Sequence, residues 1–184
     1  MESPKKFTVK ELVYTAIMSV AIAVCSWISI PSEVPFTLQT FAVFCSLCIL
    51  GGHSGFFAVM VYILLGAIGI PIFSGFTGGI GILLGPTGGY ILGFLLIAAI
   101  YRIGEKISKG SYIVSTVSMT VGLIFCYAFG TLWFVYSYAN TAKEIDWSSA
   151  LKMCVLPFII PDLAKMVFAV IFSNKIKKHI NIRN

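Results

Sequence analysis

The sequence predicts an all-α integral membrane protein: one domain of six transmembrane helices, with a glycine-rich extracellular loop between spans 3 and 4. Three observations carry that prediction. Of the 184 residues, 58% are hydrophobic and 11% charged, and the mean hydropathy is +0.96, which is the composition of a chain solvated by membrane lipid. From Val34 to Tyr101 there is no Asp, Glu, Lys or Arg. A helix crosses the hydrocarbon in roughly 20 residues, so several short-looped spans share that stretch, and the whole chain has room for about six. Finally, ten of the thirteen basic residues lie in three clusters: Lys5, Lys6 and Lys10; Arg102, Lys106 and Lys109; Lys175, Lys177, Lys178 and Arg183. That is the pattern of the positive-inside rule, and it puts the clusters and both termini on the cytoplasmic side of the cell membrane. The net charge of +6 is therefore a topology signal and implies no nucleic-acid partner.

Residues 1–12 are polar and basic, and span 1 runs from about Leu12 to Ile30, ended by Pro31. The apolar run closes on no small-residue cleavage signature, so it is expected to be retained as a span. Its small residues Ala16, Ser19 and Ala23 recur at three- and four-residue spacing, a face on which another helix can pack closely. A polar patch from Ser32 to Gln39 leads into span 2; Thr37 and Gln39 can hydrogen-bond a ligand or the backbone, and capping accounts equally well for the threonine. Span 2 reaches Leu50, residues 51–55 turn the chain with His53 as a solvated loop residue, and span 3 runs from about Phe56 to Ile70.

Span 4 starts near Pro86, a favoured first helical position, and ends in the basic stretch 101–109. Span 5 covers about Tyr112 to Tyr138, with Trp133, Tyr136 and Tyr138 as an aromatic belt. A polar loop, 140–149, carries Lys143, Glu144 and Asp146, and the last span follows Pro157 and Pro161.

Two features stand out chemically. Residues 70–90 hold no charge, and seven of the seventeen glycines fall within 75–89. Glycines admit positive φ and close approach, so this stretch reads as a folded-in loop offering backbone N–H and C=O groups. At membrane depth such backbone is tolerated only where protein covers it or it lines a cavity, which points to a small-molecule pocket; the alternative is a flexible hairpin with glycines for helix packing. The second feature is Asp162 and Lys165, two ionisable residues inside the last span at i and i+3. Charge at that depth costs at least about 2.5–3.5 kcal/mol and marks a candidate site, although an intrahelical pair that only neutralises itself is the competing account.

Nothing in the chain resembles catalytic chemistry: there is no HExxH, no GxSxG, and no Gly-Lys-Ser/Thr of a phosphate loop. No cofactor or metal is expected. Cys45 and Cys48 form a CxxC without a partnering cluster, and with Cys25, Cys126 and Cys154 they read as small packed hydrophobes.

The stretches VPFTLQTFAVF at 34–44, GAIGIPIFSGFTGGIGILLGPTGGYILGF at 66–94 and PxxxPDLAK at 157–165 together resemble the BioY family, the biotin-specific S components of energy-coupling factor transporters. The resemblance runs in order over nearly the whole chain. It implies an S-component-like six-helix bundle that binds biotin from outside and docks on a module of one transmembrane coupling subunit and two ATPases. It also carries ligand-binding positions onto the glycine loop around Thr77 and Gly78, onto Tyr90, and onto Asp162 and Lys165. Some members have Asn where this chain has Thr77, and Arg where it has Ile91. S components commonly have an Ala-xxx-Ala docking motif in the first helix; here Val20 stands four residues after Ala16, and Ser19 and Ala23 are the nearest small pair.

The residues agree with such a ligand. A ureido ring offers two N–H donors and a carbonyl, so Asp162 can accept, Lys165 can pair with an oxygen at either end, and Tyr90, Phe73 or Phe76 can wall the apolar part. The competing function is a self-sufficient secondary transporter of a small organic solute. That would call for an internal repeat and several membrane carboxylates, whereas this chain has no clear repeat and one such carboxylate.

Overall fold

Thr8 and Glu11 determine where the chain becomes helical. The Thr8 hydroxyl accepts the Glu11 backbone N–H at 3.2 Å, and the Glu11 carboxylate accepts the Thr8 N–H at 3.0 Å, so each side chain satisfies a donor the helix end leaves free. From this box runs α1, Val9–Trp27. The structure is a computed structural model and describes residues 7–108, 112–139 and 146–178. Lys5, Lys6, Lys109, Lys143, Glu144 and Arg183 of the sequence reading lie outside the described residues.

The first helix is polar inside and apolar outside. Thr15, Ser19 and Ser26 are buried, while Val13, Ile17, Val20 and Val24 are exposed. In lipid that arrangement costs nothing, because hydrocarbon solvates aliphatic side chains as well as the core does, and hydroxyls need partners. Ser19 finds one in the Ala58 carbonyl at 2.9 Å, and Ser26 in the Ile72 carbonyl at 2.5 Å. The expected docking face is thereby divided. Ser19 and Ala23 are used up in packing within the chain, and of the three small residues only Ala16 is exposed.

After α1 a two-residue hairpin forms, β1 (Ser29–Ile30) against β2 (Phe36–Thr37), antiparallel with Ser29 opposite Thr37. It is a small addition to an otherwise helical chain. The helical stretch α2, Gln39–Ala67, is broken at Gly51, where φ is 80° and ψ 171°. A continuous helix would hold Gln39 and Tyr62 about 35 Å apart at 1.5 Å per residue. Instead the Gln39 amide donates to the Tyr62 hydroxyl at 2.7 Å, and a Cβ on Gly55 would lie 3.0 Å from the Cα of Leu47. The two arms, 39–50 and 52–67, are therefore antiparallel helices folded back at one left-handed glycine.

The turn thus falls where the sequence put it but is tighter: helix resumes at Gly52, not Phe56. His53 is consequently helical and half-buried, stacked on Phe7 at 4.8 Å and edge-on to Phe57, rather than solvated in a loop.

Residues 68–87 form the glycine loop, in which Phe73 and Thr77 make an antiparallel bridge. The loop contains one short helix, α3 (Ile80–Leu84). The next long helix, α4, is Gly88–Ser108; Pro86 lies in the turn before it, not in its first helical position. Helix α5, Tyr112–Ala139, packs closely on α4. A Cβ on Gly93 would meet the Cys126 sulfur at 2.6 Å, and one on Gly122 would meet the Ile97 Cα at 2.8 Å, so the missing side chains set how near the two backbones come.

The belt aromatics of α5 do more than sit at an interface. The Trp133 indole donates to the Gly85 carbonyl at 3.0 Å, and the Tyr138 hydroxyl donates to the Glu33 carboxylate, which ties α5 to both loops; Tyr136 is exposed.

Two helices occupy the C-terminal part where the sequence suggested a loop and one span. Short α6, Trp147–Cys154, takes in the last three residues of the expected 140–149 loop, and α7, Leu156–Lys177, has Pro157 in its first turn and Pro161 inside it. Among the described residues there are six long helices: α1, the two arms of α2, α4, α5 and α7. Stretches 9–27, 39–67, 113–138 and 147–177 are long and apolar enough to cross a membrane. Successive long helices run in opposite directions, so the 28–38 segment, the glycine loop and the start of α7 share one end of the bundle. Arg102, Lys106, Lys175 and Lys177 lie at the other.

Candidate functional site

Asp162 lies about 9 Å and Lys165 about 13 Å along α7 from its start, at 1.5 Å per residue. Their side chains turn inward: Asp162 is 2% exposed and Lys165 8%. An ammonium and a carboxylate so placed have no water to solvate them, and every donor and acceptor has to be met by the chain. Lys165 Nζ gives its three N–H groups to the Thr37 carbonyl at 2.6 Å, Asp162 Oδ1 at 2.8 Å and Thr40 Oγ1 at 3.2 Å. The Phe36 ring lies 4.3 Å below the ammonium, a cation–π contact.

Asp162 Oδ1 also accepts from Thr40 Oγ1 at 2.8 Å, and Oδ2 accepts from the Tyr127 hydroxyl at 2.7 Å. A carboxylate has about four acceptor positions. Three are filled, and the fourth, on Oδ2, has no donor among the described residues.

Asp162 lines a cavity of about 150 Å³. Its walls come from every part of the bundle's loop end. The 34–40 segment contributes Thr37, Gln39 and Thr40; the glycine loop contributes Phe73, Ser74, Thr77 and Thr87; α4 contributes Tyr90 and Phe94; α5 contributes Cys126 and Tyr127; and α7 contributes Phe158, Asp162 and Lys165. The sequence-predicted residues Thr37, Gln39, Phe73, Thr77, Tyr90, Asp162 and Lys165 thus all line this one cavity.

Gly78 is not on it. A Cβ there would lie 2.3 Å from the Ile70 carbonyl oxygen, so this glycine lets the loop close on itself. Phe76 also faces away: it is 64% exposed and stacks on Trp27 at 5.0 Å.

Several of these groups are already engaged. Thr37 Oγ1 accepts the Gln39 N–H at 3.2 Å, the Gln39 amide is tied to Tyr62, and the Tyr90 hydroxyl pairs with Thr131 at 3.0 Å. Phe73 packs edge-on to Tyr62 at 5.6 Å, over Gly66, where a Cβ would meet the ring at 2.1 Å. They form rigid wall. Thr77, exposed, stands at the mouth and donates to the Ser74 carbonyl at 2.9 Å.

The sequence reading missed Thr40 and Tyr127, the two hydroxyls that complete the Asp162 shell. Tyr127 carried a signal: a phenol halfway along an apolar span needs a partner for its O–H. Thr40 carried none beyond its neighbour Gln39. Four cysteines, Cys45, Cys48, Cys126 and Cys154, are buried, Cys126 donating to the Tyr90 carbonyl at 3.6 Å. Among the described residues, no three His, Cys, Asp or Glu side chains gather as metal ligands.

The cavity thus sets a buried acid–base pair among aromatics from four segments, the glycine loop, α4, α5 and α7. Residues 2–182 match the BioY family. The chain belongs to the BioY family. Its relatives include the biotin transporter BioY of Thermotoga maritima, 41% identical over 92% of this chain and 96% of that protein. Another is biotin transporter BioY2 of Lactococcus lactis subsp. cremoris, 38% identical over 88% of this chain and 87% of that protein. Among solved structures, the S-component for biotin from an ECF-type ABC transporter superposes with a TM-score of 0.83 at 25% identity, covering 96% of this chain and 97% of that one.

For this BioY-family chain, the shell around Asp162 predicts how substitutions behave. Lys165→Met removes the cation and leaves a buried carboxylate facing two hydroxyls, which should cost about 3–5 kcal/mol of stability. Asp162→Asn combined with Lys165→Met removes both charges and should recover most of that loss. Thermal unfolding of the purified proteins checks both; equal destabilisation by the single and double changes would show that the pair does not stabilise the bundle by charge pairing.

Proposed function

We propose that this chain is the biotin-capturing membrane subunit of an energy-coupled uptake system: it binds the vitamin, and a separate module supplies ATP hydrolysis. The observation that carries this is the open acceptor position on Asp162, 2% exposed and held in place from three elements, at a cavity whose other walls are mainly apolar. A cyclic urea fits such a site: its N–H donates to Asp162, and its bicycle and arm lie against Tyr90, Phe73 and Phe158. Thr37 and Gln39 hold the adjoining wall, and Thr77 the mouth. BioY-family membership supports the same ligand, places the chain among transporter subunits rather than enzymes, and does not favour the secondary-transporter alternative.

In this reading the six long helices all span the cell membrane, and the cavity opens outward beneath the glycine loop. Both termini are cytoplasmic, since Arg102, Lys106, Lys175 and Lys177 share the opposite end. The partners are one transmembrane coupling subunit and two ATPases, which supply the nucleotide chemistry this chain lacks. For docking, the lipid-facing side of α1 is free: Ala16 and Val20, four residues apart, are both exposed.

Three measurements test these statements. Asp162→Asn replaces an acceptor by a donor facing a donor, and should weaken biotin by about 2–4 kcal/mol, roughly 30- to 1,000-fold. Calorimetric titration of the folded variant reads this directly, and near-wild-type affinity would put the ureido ring elsewhere. Reconstituted in ion-tight vesicles, the chain alone should accumulate no biotin on an imposed proton or sodium gradient, and should do so with the coupling module and ATP; gradient-driven accumulation would restore the secondary transporter. A reporter fused after Asn184 should be active only inside the cell, and activity only outside would reverse the topology.

A further inference from the structure

The charges around the cavity bear on which ligands it accepts, a question that rests on the capture reading above. Among the described residues that line it, only Asp162 and Lys165 carry formal charge, and they pair with each other at 2.8 Å. Lys165 has no N–H left over: its three go to Thr37, Thr40 and Asp162. The cavity wall is therefore neutral, and its one ammonium is committed. The next charge along the chain, Glu33, adjoins Val34 of the wall, is exposed, and is negative.

The two ends of the cavity differ in chemistry. The deep end holds an anionic acceptor, Asp162, suited to N–H donors. The more exposed end, contributed by the glycine loop, holds Ser74, Thr77 and Thr87 with Ile82. Hydroxyls both donate and accept, so they serve a carboxylate oxygen, an amide carbonyl or an amide N–H alike. A site that recognised an anion by its charge would offer an uncommitted cation or an Arg fork, and Ile91 is an apolar member of this wall.

From this we infer that the site recognises the cyclic-urea end of its ligand and not the charge at the end of the arm. Its substrate class is cyclic ureas on an apolar arm ending in either a carboxylate or a neutral amide. Biotin whose carboxyl is amidated, including biotin joined to an amine, is a ligand on equal terms with the free acid. Methylation of both urea nitrogens, which removes every donor Asp162 can use, abolishes recognition.

The test uses the purified full-length chain in lipid nanodiscs and needs no variant. Labelled biotin is displaced by unlabelled biotin, by biotin primary amide, and by biotin N-methylated on both urea nitrogens. The expected result is an amide Kd within tenfold of that of biotin, with the N-methylated compound at least a hundredfold weaker. An amide more than tenfold weaker than the acid overturns the inference while biotin binding, and the capture reading with it, still stands. An N-methylated compound that competes as well as biotin also overturns it, because recognition would then lie at the arm. If biotin itself does not bind, the capture reading falls and takes this inference with it.

Discussion

One ion pair organises the loop end of this bundle. Asp162 and Lys165 are buried away from lipid and bulk water, so the chain has to bring them most of their hydrogen-bond partners. Those partners come from far along the sequence: Thr37 from β2, Thr40 from the start of α2, and Tyr127 from α5. Each contact fixes one element against α7. The β1–β2 hairpin is anchored through the Thr37 carbonyl and through Phe36, which lies under the ammonium and beside Phe158. The result is a cavity whose polar floor is pre-formed before any ligand arrives, which is how a small pocket avoids reorganising on binding.

Around this floor, the packing follows from lipid as solvent. Apolar side chains gain little by facing inward, so close backbone approach and hydrogen bonding decide which face of each helix is buried. Gly93 and Gly122 let α4 and α5 meet nearly backbone to backbone. Ser19 and Ser26 on α1 point inward for the carbonyls of Ala58 and Ile72. The glycine loop obeys the same constraint: Gly79 N–H donates to the Gly66 carbonyl at 2.7 Å and Phe73 N–H to the Thr77 carbonyl at 2.9 Å. Its backbone groups close largely on the chain, and what the loop gives the cavity is side chains and shape.

That corrects the simplest view of the loop as a cradle of free N–H groups. Gly78 illustrates it: the residue matters because the Ile70 carbonyl occupies the place of its Cβ, and it does not reach the cavity. On the proposed function, ligand specificity rests on few polar groups, Asp162 and the loop hydroxyls, within aromatic walls held by contacts such as Tyr90–Thr131 and Trp133–Gly85.

Much of this was legible in the sequence by itself. Composition and the charge-free run 34–101 determine that the chain lives in a membrane, because no soluble core can bury so much apolar surface. The glycine at 51, amid residues too numerous for one span, marks the reversal; the acid–base pair at 162 and 165 marks the site, because charge at that depth needs a reason. What only the tertiary structure decided is which side each residue faces and what it meets there. Periodicity names the buried face of a helix in water, but in lipid both faces are apolar and the signal fades. Ala16, Ser19 and Ala23 share one spacing pattern, yet the structure turns two of them inward. Thr40 meets Asp162 across 122 residues of chain, and Tyr127 meets it across 35; no local pattern encodes those meetings, since they follow from how six helices pack once the ion pair has to be satisfied.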